Sequence, residues 1–369
     1  MARTAGRSEG YCCLHRAKGP GMSRVLTRSA AAAALMASLL TAGPAWAWGR
    51  AGHRIVGSVA SEVVEDGRLF WSSNERAIGE FSNTPDTAWK SGPSAAQEKP
   101  THWFQFDFYS PQGATLPAFF RIYAEVLKHY SEATVTENGT ATWRVQQFYL
   151  DALKGLRSSR YMEAVQLAGA MSHYVGDLSQ PLHVTVNYDG QLTNQKGIHK
   201  FFETDNLEVV SYDELRDEVA RRAQKLMSDS EFRATFEQDL MHAMFMASRR
   251  SLTDLPRVLQ IDKKQGRTGA AADEQREIAI NRMADGAATY AMILSRLWRD
   301  GGQVDSDREV TPKEPKWLAP DYSQTAEGSG NAGNGRRRQV DFAPSAASAG
   351  ARPAAGHVFA GSSSFVDCE

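Results

Sequence analysis

Cysteine is nearly missing from this chain. Three occur in 369 residues, two side by side at positions 12 and 13 and one at 368. That supply cannot staple a fold with several disulfides, so stability has to come from a packed core or from bound metal. Long apolar runs are scarce as well: past residue 50 nothing approaches the roughly 20 uninterrupted apolar residues of a membrane span. Short alternating runs bounded by turn residues are few, which leaves β-sheet a minor part at most. A basic surplus is also absent, since 42 Lys and Arg meet 43 Asp and Glu for a formal charge of −1. Generic capture of nucleic acid wants a basic surface, so any phosphate affinity must be local.

What is present is a large apolar fraction, 42%, with 8 Trp, 16 Phe and 11 Tyr. That composition suits a packed globular enzyme rather than a disordered chain. The N-terminus stands apart. From Met22 it reads "MSRVLTRSAAAAALMASLLTAGPAWAWG". Arg24 and Arg28 form a basic start, residues 30–40 an apolar centre, and Pro44 ends it before the small-x-small triplet Ala45, Trp46, Ala47. This is the pattern of a signal peptide cut between Ala47 and Trp48. Residues 1–21 extend the basic start, or translation begins at Met22 instead of Met1. The expected product is exported, periplasmic or secreted, and keeps only Cys368. Residues 1–47 carry six Lys or Arg and one acid, so the chain from Trp48 onward has a charge of −6.

Helical periodicity dominates the chain beyond Trp48. Apolar residues recur at helical spacing in 54–66, 116–130, 141–156, 159–177, 212–227, 230–252 and 273–300. The expected fold is mostly α, a single helical-bundle domain over 48–300. Residues 301–369 are expected to form a low-complexity, disordered tail, rich in Ser, Ala, Gly and Pro from about 320 with "GRRRQ" at 335–339.

Five histidines sit in short contexts with acids, prolines or glycines: His53, His102, His173, His183 and His199. In "SHYVGDLSQPLH", His173 and Asp177 are four apart and project from one helix face. Pro181 cannot continue that helix, so His183 arrives from another direction. In "GIHKFFETDN", His199 and Glu203 repeat the spacing of four, with Gly197 supplying a turn before them. Each pair alone also fits a solvated surface pair. Asp86 in "NTPDTAWK" also fits a turn or N-cap residue, and His102 amid Trp103, Phe104, Phe106 and Phe108 also fits a buried histidine. His53 lies five residues after Trp48. A free α-amine has a pKa near 8, low enough for a divalent metal to displace its proton. Trp48 can therefore chelate through its amine and its carbonyl oxygen once the bond before it is cut, and His53 can close that site.

The order "WGRAGH", Asp86, "THWF", "HYVGDLSQPLH", "HKFFE" resembles the trinuclear zinc superfamily. That superfamily comprises the zinc-dependent single-strand-specific nucleases of fungi and plants and the bacterial zinc-dependent phospholipases C. The resemblance spans 48 to about 210 in motifs, and the helical remainder fits the fold. It implies three Zn2+ ions. Asp86, His102, His173 and Asp177 would hold the first. His183, His199 and Glu203 would hold the second, with positions open for water and substrate. Trp48 and His53 would hold the third, with Asp177 bridging to the first. N and O donors suit zinc. Three divalent ions against three carboxylates leave a positive pocket in an acidic protein, and this implies hydrolysis by a zinc-activated water, with Asp86 placed to orient it or take its proton.

The traits divide over the substrate. The "WGxxGH" spacing resembles the nucleases. Glu203 as last ligand, and the short connection from His183 to His199, resemble the phospholipases. The fungal nucleases place an Arg near the phosphate where this chain has Trp89; Lys90 comes next and supplies a charge without the bidentate fork. Trp103 keeps the aromatic on which a base stacks, although it also fits a core position. Gln105 replaces the base-reading acid, and Asp107 is displaced from it. The leading expectation is an endonuclease for single-stranded DNA or RNA, with activity on 3′-nucleotides. The alternative is a phospholipase C-like hydrolase of glycerophospholipids, and a second alternative is a zinc-binding protein without catalysis. No protein partner is implied.

Overall fold

The structure is a computed structural model and describes residues 48–236 and 238–326. The expected cleavage signal, all three cysteines and "GRRRQ" lie outside the described residues. Among the described residues, seven helices of seven residues or more build the body: α1 (Gly49–Val63), α2 (Glu75–Phe81), α3 (Ala141–Arg157), α4 (Tyr161–Ser179), α5 (Tyr212–Met227), α6 (Leu240–Gln265) and α7 (Gly269–Gly301). One-turn and two-turn helices fill the links, among them Arg68–Ser73 between α1 and α2. No strand occurs among the described residues, and no helix there is long and apolar enough to cross a membrane. The mostly α expectation holds.

Helix α4 is the axle. It packs against α1, α2, α3, α6 and α7, and every residue from Ala168 to Ser179 is buried. A helix buried on all sides needs small residues where its neighbours come close. Gly169 is one: a Cβ there would stand 2.4 Å from Cβ of Phe81. Gly176 is another, where a Cβ would stand 3.0 Å from Nδ1 of His53. These contacts let α1 and α2 lie flush on the face of α4 that carries His173 and Asp177.

Three expectations need correction. The segment 116–130 is not one helix but two turns, Ala118–Arg121 and Tyr123–Val126, with Ile122 extended between them. Continuing the helix would require the Phe120 carbonyl to accept from residue 124; it accepts from the Trp143 indole at 3.0 Å instead. The segment 230–252 breaks after Ala234 because the Asp239 carboxylate accepts the His242 N–H at 2.8 Å and starts α6 anew. That helix then runs through Pro256 to Gln265. Finally, the boundary at 300 falls inside the packed body. Residues 303–326 form a strap along it that buries Val310 and Tyr322. The Asn74 side chain bonds both the Arg308 carbonyl, at 2.8 Å, and the Val310 N–H, at 2.9 Å. Composition hid this, since a strap whose backbone is held by side chains of the body needs few apolar residues.

Gly169→Ala should destabilise the fold by about 1–3 kcal/mol, the usual cost of overpacking a dense core. Denaturant unfolding reads this directly, and an unchanged midpoint would show that Phe81 yields freely.

Candidate metal centre

Trp48 caps α1 with φ 50°, a left-handed conformation that a bulky residue rarely adopts. Its buried indole donates to the Gly176 carbonyl of α4 at 2.7 Å, and its own carbonyl accepts the Gly52 N–H at 3.0 Å. One turn on, His53 faces the same stretch of α4, its Nε2 3.4 Å from Oδ1 of Asp177. Its ring stacks on that of His173 with centroids 3.9 Å apart.

Two of the candidate ligands sit on wide π-type turns, Asp86 in Pro85–Trp89 and Glu203 in Phe201–Asp205. Such turns displace a side chain from ordinary helical register and recur at functional sites. The backbone of 104–106 pairs with 183–184: the Phe104 N–H donates to the His183 carbonyl at 3.0 Å and the Phe106 N–H to the Val184 carbonyl at 2.9 Å. This pairing holds His102 beside His183 despite a separation of 81 positions.

Three groups of ligating side chains result among the described residues: His53, Asp86 and His173; His102, His173 and Asp177; His183, His199 and Glu203. In the first region, His173 Nε2 lies 2.8 Å from His102 Nδ1. Asp177 Oδ2 lies 3.3 Å from each of those nitrogens. Asp86 Oδ1 is 3.5 Å from His102 Nδ1 and 3.7 Å from His173 Nε2. In the second region, His199 Nε2 is 3.1 Å from His183 Nε2 and 2.9 Å from Glu203 Oε2, with His183 Nε2 3.5 Å from the same oxygen. Donors about 2.0–2.2 Å from a tetrahedral zinc stand about 3.4 Å from one another. The observed spacings bracket that value.

The outer shell points the same way. His173 Nδ1 meets the Ser82 carbonyl at 2.9 Å, His183 Nδ1 the His102 carbonyl at 2.6 Å, and His199 Nδ1 the Tyr188 carbonyl at 2.8 Å. A carbonyl accepts only, so each Nδ1 carries the proton and each Nε2 offers a lone pair toward the cluster. Several buried atoms of these side chains have no hydrogen bond: both ring nitrogens of His53, both oxygens of Asp177, Oδ2 of Asp86 and Oε1 of Glu203. Buried carboxylates persist only when paired or bound to metal. The donor set therefore fits a resident divalent cation, with both spacing and orphaned atoms in agreement.

Electrostatics favours the metal-binding forms of His53, His102, Asp177 and Glu203, whereas at His173 and His199 burial is outweighed by neighbouring carboxylates, Asp177 and Asp86 for the first and Glu203 for the second, and the pKa is raised. Burial pushes the His102 pKa down to about 4, and Lys90 adds to the shift. Burial and His173 lower that of His53. Burial opposes the charge on Glu203, but His199 and His183 outweigh it and hold the carboxyl at about 2. For Asp177, burial is likewise overcome, by His173 and His183, and the pKa falls well below the usual range. Lys90 donates to Asp86 Oδ1 at 3.1 Å. Burial disfavours its ammonium, yet Asp86 and Asp177 prevail and raise its pKa.

The other expected substrate contacts lie outside the clusters. Trp103 is half-buried and donates its indole N–H to the Glu137 carbonyl at 3.1 Å. Gln105 is buried. Asp107 is occupied elsewhere, accepting from Thr185 Oγ1 at 2.6 Å and the Val186 N–H at 2.9 Å, which pins the loop after His183. Two residues that sequence reasoning passed over belong to the site. Gln180 donates to Glu203 Oε2 at 2.8 Å while its own carbonyl oxygen accepts the Leu182 N–H. Glu98 stands behind His102, 3.7 Å from Nε2. Its spacing of four from His102 was a readable signal, the same one that flagged His173 with Asp177.

No protein-family model matches this chain, and no curated protein does. Among solved structures it is similar to the alpha toxin from Clostridium absonum, at 16% identity and a TM-score of 0.45, covering 69% of this chain and 66% of that one. It is also similar to the alpha-toxin of Clostridium perfringens from an avian strain, at 14% identity and a TM-score of 0.42, covering 70% of this chain and 65% of that one. The chain thus spans about two thirds of the length of each toxin.

Asp177 faces two of the three clusters, whereas Glu203 faces one. Asp177→Ala should therefore cost more bound zinc per chain than Glu203→Ala, with helicity kept in both; elemental analysis beside circular dichroism reads this, and equal losses would contradict a shared carboxylate. Gln180→Ala should weaken only the His183, His199 and Glu203 cluster, by about 10- to 100-fold in zinc affinity.

Proposed function

We propose that this chain is a zinc-dependent phosphodiester hydrolase. The observation that carries the reading is the set of eight side chains able to ligate a metal, brought together in three groups, in which both His53 nitrogens, both Asp177 oxygens and one oxygen each of Asp86 and Glu203 are buried without a hydrogen bond. Zinc in such a set supplies Lewis acidity and brings the pKa of a coordinated water toward neutrality. Asp86 contributes an Oδ2 without a protein partner, available to orient that water or accept its proton. Lys90, 24% exposed on its side chain, holds a positive charge at the edge of the cluster, where a phosphoryl oxygen is bound by a point charge. His199 is the most exposed of the eight, at 18%, so substrate enters on the side of the second cluster.

For the substrate, a glycerophospholipid headgroup ester is favoured. Asp107 is committed to Thr185 and Val186 and Gln105 is buried, so the acid that reads a base has no counterpart. Glu203 as last ligand agrees. Single-stranded nucleic acid is the second reading, supported by the spacing from Trp48 to His53 and by the aromatic Trp103 next to His102, a residue type on which bases stack. Export is part of the proposal, because only cleavage before Trp48 frees the amine that completes the third site.

Zinc-loaded protein beginning at Trp48 should hydrolyse phosphatidylcholine and leave single-stranded DNA and RNA intact. The reverse pattern moves the substrate to nucleic acid. Hydrolysis of neither by metal-replete protein makes the chain a zinc-binding protein without catalysis. One extra residue before Trp48 should remove one zinc ion per chain and most of the activity; full activity with three ions would reduce Trp48 to an ordinary helix cap.

A further inference from the structure

Behind His102 lies a charged cluster that hydrolysis does not use. Glu98 is fully buried. Its Oε2 accepts from Arg144 Nη2 at 3.0 Å and from the Trp317 indole at 2.9 Å. Its Oε1 accepts from the Tyr174 hydroxyl at 2.5 Å and from Thr101 Oγ1 at 3.2 Å. Arg144 is fully buried too, and the nitrogen that binds Glu98 also donates to the Leu318 carbonyl at 2.6 Å. Next to it, Gln147 donates to the Ala319 carbonyl at 2.8 Å, and Tyr322 shares a 2.8 Å hydrogen bond with Thr140. Residues 317–322 of the strap are therefore one wall of the compartment that holds Glu98.

A buried ion pair is a weak source of stability, because desolvation consumes most of its attraction. Its position points to another use. His173, His183 and His199 each turn Nδ1 to a backbone carbonyl and Nε2 to the cluster. His102 is reversed: Nδ1 faces the cluster, and Nε2 is buried with no hydrogen bond. Glu98 Oε1 faces that Nε2 at 3.7 Å, within about 1 Å of hydrogen-bond distance. A carboxylate in this place fixes the tautomer and raises the basicity of the ligating nitrogen.

We infer that Glu98 is a positioning residue for His102, and that the strap, through Trp317 and Arg144, is energetically coupled to the metal centre. Docking of 317–322 completes the hydrogen-bond shell of Glu98. The carboxylate then holds His102 with Nδ1 toward the ion. This rests on the zinc reading above. Coupling is reciprocal, so zinc must tighten the strap by the factor with which the docked strap tightens zinc.

The experiment uses the full chain. Hydrogen exchange at 317–322 is measured with and without zinc, and zinc affinities are taken by chelator competition on wild type, Trp317→Phe and Glu98→Gln. Zinc should slow exchange of the strap about tenfold or more. Trp317→Phe should lower the affinity of one ion about tenfold, and Glu98→Gln by about 10- to 100-fold. In cobalt-substituted protein the visible absorption of that one ion should change while the others hold. Wild type that binds no zinc overturns the metal reading and the coupling with it. Wild type that binds zinc, with strap exchange unmoved and Trp317→Phe unchanged in affinity, overturns the coupling alone; neither measurement depends on Glu98→Gln folding.

Discussion

The rest of the structure is arranged around one buried carboxylate that makes no hydrogen bond. Asp177 is fully buried on the central helix, and neither of its oxygens has a hydrogen-bond partner. Oδ1 faces His53 at 3.4 Å and Oδ2 faces His102 and His173 at 3.3 Å each. A charge in that position is tolerable only if cations gather on both sides of it. Placing one acid between two ligand groups ties those groups to a common geometry. A displacement of α4 therefore disturbs both at once.

That constraint explains the packing. The helix bearing Asp177 has to be buried on every side, yet α1 must come close enough for His53 to reach it. Gly176 and Gly169 clear the space. The candidate ligands that α4 cannot supply come from short irregular turns, where the chain can aim a side chain out of helical register: Asp86 and Glu203 on wide turns, and His102 and His183 on two segments paired through backbone hydrogen bonds. Rigid helices carry the load, and local irregularity supplies direction.

The helical class and the main candidate ligand pairs were legible because both depend on short spacing. A period of 3.6 is visible in any ten residues, and His173 with Asp177, or His199 with Glu203, need only a separation of four to share a face. The break at Asp239 was missed because a side chain competing for a backbone N–H leaves the apolar pattern intact. The segment 116–130 was misread because the partner that claims the Phe120 carbonyl, Trp143, is 23 residues away. The strap was misread because its contacts are carbonyls held by Asn74, Arg144 and Gln147, and carbonyls carry no sequence signature.

By itself the sequence determined which residues are able to bind a metal, in what order they come, and that they ride on helices. These are properties of side-chain chemistry and local periodicity. Only the tertiary structure decided that Asp177 lies between two groups, that Asp107 is spent on a loop, that Gln180 steadies Glu203, and that Glu98 with Arg144 joins His102 to a strap nearly 220 positions away. The reason is physical. Who shares an acceptor, and which buried atom goes without one, depends on distances between chain segments, and no local pattern encodes those.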